Sequence, residues 1–148
     1  MILPENLLNL IRQGEGLTVE FKKSSTDITK DVYDTVCSFS NREGGHIFFG
    51  VKDNSTIIGV DKDCLENMKK NFVTTINNES KIYPPLYLTP EEYEVDGCIV
   101  LYVYVPIGKT VIAMQGGFLI AAMSLTSISQ IMRTWFSTFM PVNKAPIL

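Results

Sequence analysis

The sequence predicts an α+β domain: a mixed β-sheet with two or three packed helices. Three observations carry this. Apolar residues recur at helical spacing in three stretches, marked by Leu7 and Ile11, by Val32, Val36 and Phe39, and by Met68, Phe72 and Ile76. Short runs with strand character separate and follow them. The resulting order, α β α β β α β β, mixes crossovers and hairpins, so parallel and antiparallel pairs are expected in one sheet.

Taken in order, Pro4 to Gln13 reads as a short helix, with Pro4 in the first turn, Leu7, Leu8 and Ile11 on one face and Gly14 past its end. Thr18 to Lys22 alternates: Val19 and Phe21 point one way, Thr18, Glu20 and Lys22 the other. On pattern alone the second face reads equally well as solvated. Ser24-Ser25-Thr26-Asp27 is a turn and N-cap cluster, and Ile28, Val32, Val36 and Phe39 form a stripe running to Ser40. Gly44-Gly45 stops that helix and turns the chain. Ile47 to Val51 is an apolar run suited to a strand covered on both faces. Gly50 within it signals a bulge or a close backbone approach. Asp53 stands at the strand exit. Asp53 to Thr56 turns the chain, and Ile57 to Val60 reads as a returning strand. Leu65, Met68, Phe72, Val73 and Ile76 mark the third helix, broken by Pro84-Pro85. Leu86–Val95 and Cys98–Val105 form a hairpin turned by Asp96-Gly97, a type I′ signal. The expected main core is Phe39, Ile47, Phe49 and Val51 with Val19 and Phe21.

Composition narrows the function. A net charge of -3 excludes a strongly basic nucleic-acid-binding domain, so any such face is a local patch. Cys37, Cys64 and Cys98 are odd in number and lack a Cys-x-x-Cys pair, which argues against a disulfide framework or zinc site and fits a reducing cytoplasm. His46 is the sole histidine, so a histidine-based metal site is not expected. The first residues carry no secretory signal, and no membrane span is expected. Gly45-x4-Gly50-Val51-Lys52 is not a phosphate loop, because a strand stands where Gly-Lys-Ser/Thr would open a helix.

Several stretches in combination carry a resemblance: Glu15-x4-Glu20-Phe21-Lys22, Phe39-Ser40-Asn41-Arg42-Glu43-Gly44-Gly45, Phe49-Gly50-Val51-Lys52-Asp53 and Ile58-Gly59-Val60. Over about residues 3 to 109 the chain resembles the Schlafen AlbA-2 domain. The resemblance implies a DNA- or RNA-binding module of a bacterial regulator-type protein. Some members carry RecG-helicase-related or ATP-binding names, which makes nucleotide binding a weaker alternative. In vertebrate Schlafens with endoribonuclease activity three carboxylates form the cutting site, and by resemblance they fall on Glu15, Glu20 and Asp53. Converging carboxylates can hold Mg²⁺ or Mn²⁺ against a phosphodiester, so a metal-dependent endoribonuclease is the alternative function. A homodimer would rebuild the two-lobed cleft of those enzymes. Candidate phosphate contacts are Lys22, Lys23, Lys30 and Arg42, with Asn41 shaping the turn.

The domain is expected to span residues 1–110. Residues 111–148 form an atypical apolar tail. Asp96 is the last acidic residue, and Arg133 and Lys144 are the only charges after residue 110. Met114, Met123, Met132 and Met140 fall there, without a usable period. A shifted reading frame or truncated continuation is one reading, and codon degeneracy permits it. A genuine apolar tail docking on the sheet or on a partner is the other.

Overall fold

Two parallel strands joined by a helix form the centre of the fold. The computed structural model describes residues 1–108 and 111–114. Strand β1 (Val19–Lys22) leads through helix α2 (Lys30–Ser40) into β2 (Gly45–Phe49). β1 and β2 pair in parallel, Glu20 opposite Ile47 and Lys22 opposite Phe49, as the two motif-bearing stretches require. Helix α1 (Glu5–Gln13) precedes this unit and α3 (Leu65–Ile76) follows it. Then come β3 (Ile82–Tyr83), β4 (Glu91–Val95), β5 (Cys98–Val105) and β6 (Ala113–Met114). The main sheet has the order β1-β2-β5-β4, with β5 antiparallel to both neighbours, so it is mixed. β3 and β6 form a small separate pair.

The core expected as one cluster is two, one on each face of the sheet. Alternation along β2 makes the division. Ile47 and Phe49 pack with Val36, Phe39, Met68 and Phe72 under α2 and α3. Val19, Phe21, Phe48 and Val51 pack with Leu7 and Ile11 of α1. Both layers bury their apolar residues, which is why this strand is apolar throughout.

Two glycines have steric reasons. Gly44 adopts a φ of 78° as the chain leaves α2, and a Cβ there would lie 2.6 Å from the Val105 carbonyl oxygen. Gly50 has a φ of 87°, and a Cβ would meet the Gly59 backbone at 2.8 Å. The second is the close approach that a glycine at a strand end signals. It also corrects the expected strand over Ile57–Val60. Gly50 accepts the N–H groups of both Ile58 and Gly59, so only a single bridge, Val51 to Ile57, remains. Val60 instead donates to Ile99 of β5. Two other boundaries shift. The N-cap of α2 is Thr29 rather than the Ser24–Asp27 cluster, and the strand expected from Leu86 begins at Glu91. The Asp96-Gly97 turn is as expected, with both φ values positive.

Both sheet edges are occupied locally. Met1–Leu3 runs beside β4, with Leu3 donating to Glu94 and Glu94 to Met1. On the outer edge of β1, Gly16 donates to the Val19 carbonyl. Such cover limits strand addition by other chains. No helix among the described residues is long and apolar enough to cross a membrane. Of the segment 111–148, the described part packs on the domain: Ile112 is buried, and β6 pairs with β3. Expectations for the remainder, including exposure of Leu119, Ile120, Trp135 and Phe136, lie outside the described residues.

Candidate functional site

Parallel pairing puts the carboxyl ends of β1 and β2 side by side, and a cleft of about 560 Å3 opens there. This is where open α/β units commonly receive ligands. Glu20, Lys22 and Lys23 of the β1 end line it, with Asp53 beyond β2, the Ser24–Asp27 loop, and Thr29 and Asp31 at the start of α2.

Lys22 organises the cleft. Its side chain is 12% exposed, and its Nζ lies 2.7 Å from Asp31 Oδ2 and 3.4 Å from Glu20 Oε1. Burial opposes the ammonium charge. The hydrogen bond to Asp31 and the charges of Glu20 and Asp31 outweigh it, holding the group above its ordinary range. Asp31 is correspondingly held low, first by the Lys22 hydrogen bond and then by that from Thr29. Glu20 behaves differently. Burial pushes its carboxyl up and outweighs the charge and hydrogen bond of Lys22, which pull it down, while Glu15 and Asp53 add smaller like-charge repulsions. The face that on pattern alone reads equally well as solvated is therefore a partly buried polar cluster.

The raised Glu20 has a consequence for stability. A native state that holds this proton more tightly gains stability below the ordinary carboxylate pKa and loses it as pH rises through the raised value. Glu20→Gln should therefore raise the urea midpoint at pH 7. The difference should vanish below about pH 4, where the unfolded carboxylate also protonates. A lower midpoint for the variant at pH 7 would show that the Lys22 pairing outweighs burial.

The structure separates the other candidate residues. Glu15 Oε1 accepts the Phe21 N–H at 2.9 Å, so this carboxylate closes the outer edge of β1. Lys23 and Lys30 are exposed, and Lys30 opens α2 at the cleft end. Asn41 and Arg42 lie past the other end of α2. The eleven-residue helix that Lys30 opens runs between the two groups, a length of roughly 16 Å at about 1.5 Å per residue. Asn41 has a structural task. Its side-chain amide both donates to the Ile112 carbonyl and accepts the Ile112 N–H, each at 2.8 Å. Among the described residues, no three His, Cys, Asp or Glu side chains are grouped to hold a metal ion. Sequence reasoning missed Asp31. Its signal was an acidic residue in the first turn of a helix following a lysine-bearing strand.

The family model for the Schlafen AlbA_2 domain matches residues 15–120. The chain belongs to this family. In the AlbA_2 domain described here, the matched region takes in β1, β2 and the cleft between their ends. An uncharacterized ATP-binding protein of Ureaplasma parvum serovar 3 is 39% identical over 71 residues, or 46% of this chain. Those residues span 20% of that relative's length. Among solved structures, the N-terminal domain of a RecG-related protein from Nitrosomonas europaea aligns at a TM-score of 0.51 with 23% identity. The alignment covers 69% of this chain and 71% of that one, a likeness of fold. A protein of Corynebacterium diphtheriae aligns at 0.48 with 19% identity, over 66% of this chain and 22% of its own.

Proposed function

We propose that this AlbA_2 domain is a nucleic-acid-binding module, of RNA or DNA, in a bacterial regulator-type protein, and that the cleft at the carboxyl ends of β1 and β2 is its contact face. One observation carries the reading. The cleft holds a half-buried, charged Lys22 fixed by two carboxylates, with Lys23 exposed beside it and hydroxyl groups from Ser24 to Thr29 around it. Lys23 and Lys30 are the phosphate contacts at this end. Lys22, already neutralised, shapes the site more than it adds charge. Arg42 serves a separate point of contact, and Asn41 holds the turn between. Family membership and the RecG-related name of a protein with this fold support a nucleic-acid role.

A second reading, a divalent-metal-dependent endoribonuclease, is favoured by the repulsion of Glu20 by Glu15 and Asp53. As arranged, the trio does not fit a metal centre, since Glu15 is bound to the β1 backbone and no three-ligand group is assembled among the described residues. Nucleotide binding rests on names: the ATP-binding name of the Ureaplasma relative and the ATP-dependent helicase name of the RecG-related protein. Homodimer formation belongs with the nuclease reading.

Incubation with tRNA and Mg²⁺ or Mn²⁺, beside Glu20→Ala, separates these readings. The module should retain tRNA without cutting it. Cleavage that disappears in Glu20→Ala would replace the binding reading with the enzymatic one. Failure to retain any RNA or DNA would remove it.

A further inference from the structure

The amino end of β2 carries a second feature, away from the cleft. His46 and Tyr104 stand opposite each other on β2 and β5, with ring centroids 5.2 Å apart and planes tilted by 44°. Helix α1 covers this face of the sheet over Phe21, Phe48, Val100 and Tyr102. Its cover ends before Tyr104, which is 51% exposed and is the one exposed residue of its strand. Behind the pair, Tyr102 lies nearly parallel to His46 at 5.9 Å, and its hydroxyl is 2.7 Å from His46 Nδ1. That contact fixes the imidazole ring. Burial lowers the His46 pKa, so the ring is neutral near pH 7. Leu17 and Ile107, 67% and 64% exposed, flank the same strand end. Thr18 accepts the His46 N–H, and Ile107 lies beside Gly44. Arg42, in the turn entering β2, forms no ion pair among the described residues.

We infer that the His46–Tyr104 pair, half-buried at His46 and exposed at Tyr104, is a stacking platform for an unpaired nucleobase, with Arg42 taking the adjoining phosphate. The inference rests on the nucleic-acid reading and adds to it a preference for single strands. Flat neutral rings on a sheet surface suit any base, since every base has a π-face. Two rings flanked by two aliphatic side chains match a base better than a stable protein interface, which needs roughly 800 Å² per partner. Charge favours the same occupant. Burial, and after it the charge of Glu91, pushes the Tyr102 hydroxyl up to about 12, so the ring behind the pair is also neutral, and Arg42 in the turn entering β2 is a nearby cation without an ion pair among the described residues. Bases splayed from a single strand are the form of nucleic acid that can use such a surface.

The test uses the full chain and a labelled oligouridylate, beside an abasic strand of equal length. Tyr104→Ala should weaken oligouridylate binding about tenfold or more, the scale of one lost base stack. Tyr104→Phe should restore it. The abasic strand should bind wild type and Tyr104→Ala alike, with an unchanged salt slope. Unchanged oligouridylate affinity in Tyr104→Ala overturns the platform while leaving the nucleic-acid reading standing. So does an equal loss for the abasic strand, or an effect on self-association alone in sedimentation. Absence of binding to any RNA or DNA overturns both.

Discussion

Phe49→Ala lowers the unfolding free energy by about 3–5 kcal/mol, the usual cost of truncating a fully buried phenylalanine. Phe49 has no exposed surface and lies on the face of β2 beneath α2 and α3. Its ring meets Phe72 edge-on at 6.4 Å, so the substitution removes an aromatic contact as well as apolar area. Helix α2 closes the parallel crossover, and Met68 and Phe72 of α3 share its buried cluster with Phe49. A cavity should therefore persist. Urea denaturation checks this, and a midpoint within error of wild type would mean that the packing of this face is misassigned.

Gly50→Ala is the second large effect. Two penalties coincide there. A non-glycine residue at a φ of 87° costs about 1–3 kcal/mol, and overpacking a tight site costs about 1–3 kcal/mol more. The obstacle is the Gly59 backbone, which cannot rotate away as a side chain would. Moving it would also disturb the bonds from Ile58 and Gly59 to the Gly50 carbonyl. The expected loss is about 2–6 kcal/mol in urea unfolding. Because Asp53 follows three residues later, binding should weaken too. An alanine variant as stable as wild type would show that the loop from 51 to 59 relaxes freely.

Much of this architecture is legible in the residues. Alternation in Thr18–Lys22 and the apolar run Ile47–Val51 suffice to identify the two central strands, and a parallel pair needs a crossover, which α2 provides. Asp96-Gly97 specifies its turn because both positions need positive φ. What escaped reading depends on contacts distant in sequence. Ile57–Val60 has strand composition, yet the Gly50–Gly59 approach diverts it after one bridge. The core residues were identifiable, but not their division between two faces, because a strand buried on both sides has no polar face to set its phase. The site was partly legible. Glu20 and Asp53 do reach one cleft. Lys22 looked like a free cation because its partner Asp31 lies across a loop and on a helix. Arg42 looked like its neighbour in a patch because the pattern does not show that α2 carries the chain to the opposite end of the strands.

The direct test of the central claim is the salt dependence of tRNA binding, measured by fluorescence anisotropy for wild type, Lys22→Ala, Lys23→Ala and Lys30→Ala. If the cleft end meets phosphates, wild-type affinity falls as salt rises, because bound counterions are released on association. Lys23→Ala and Lys30→Ala should each reduce the slope by about one charge. Lys22→Ala should reduce it less, since Glu20 and Asp31 already neutralise that ammonium. Slopes unchanged in Lys23→Ala and Lys30→Ala would contradict the account and place the nucleic-acid contact, if there is one, elsewhere on the molecule.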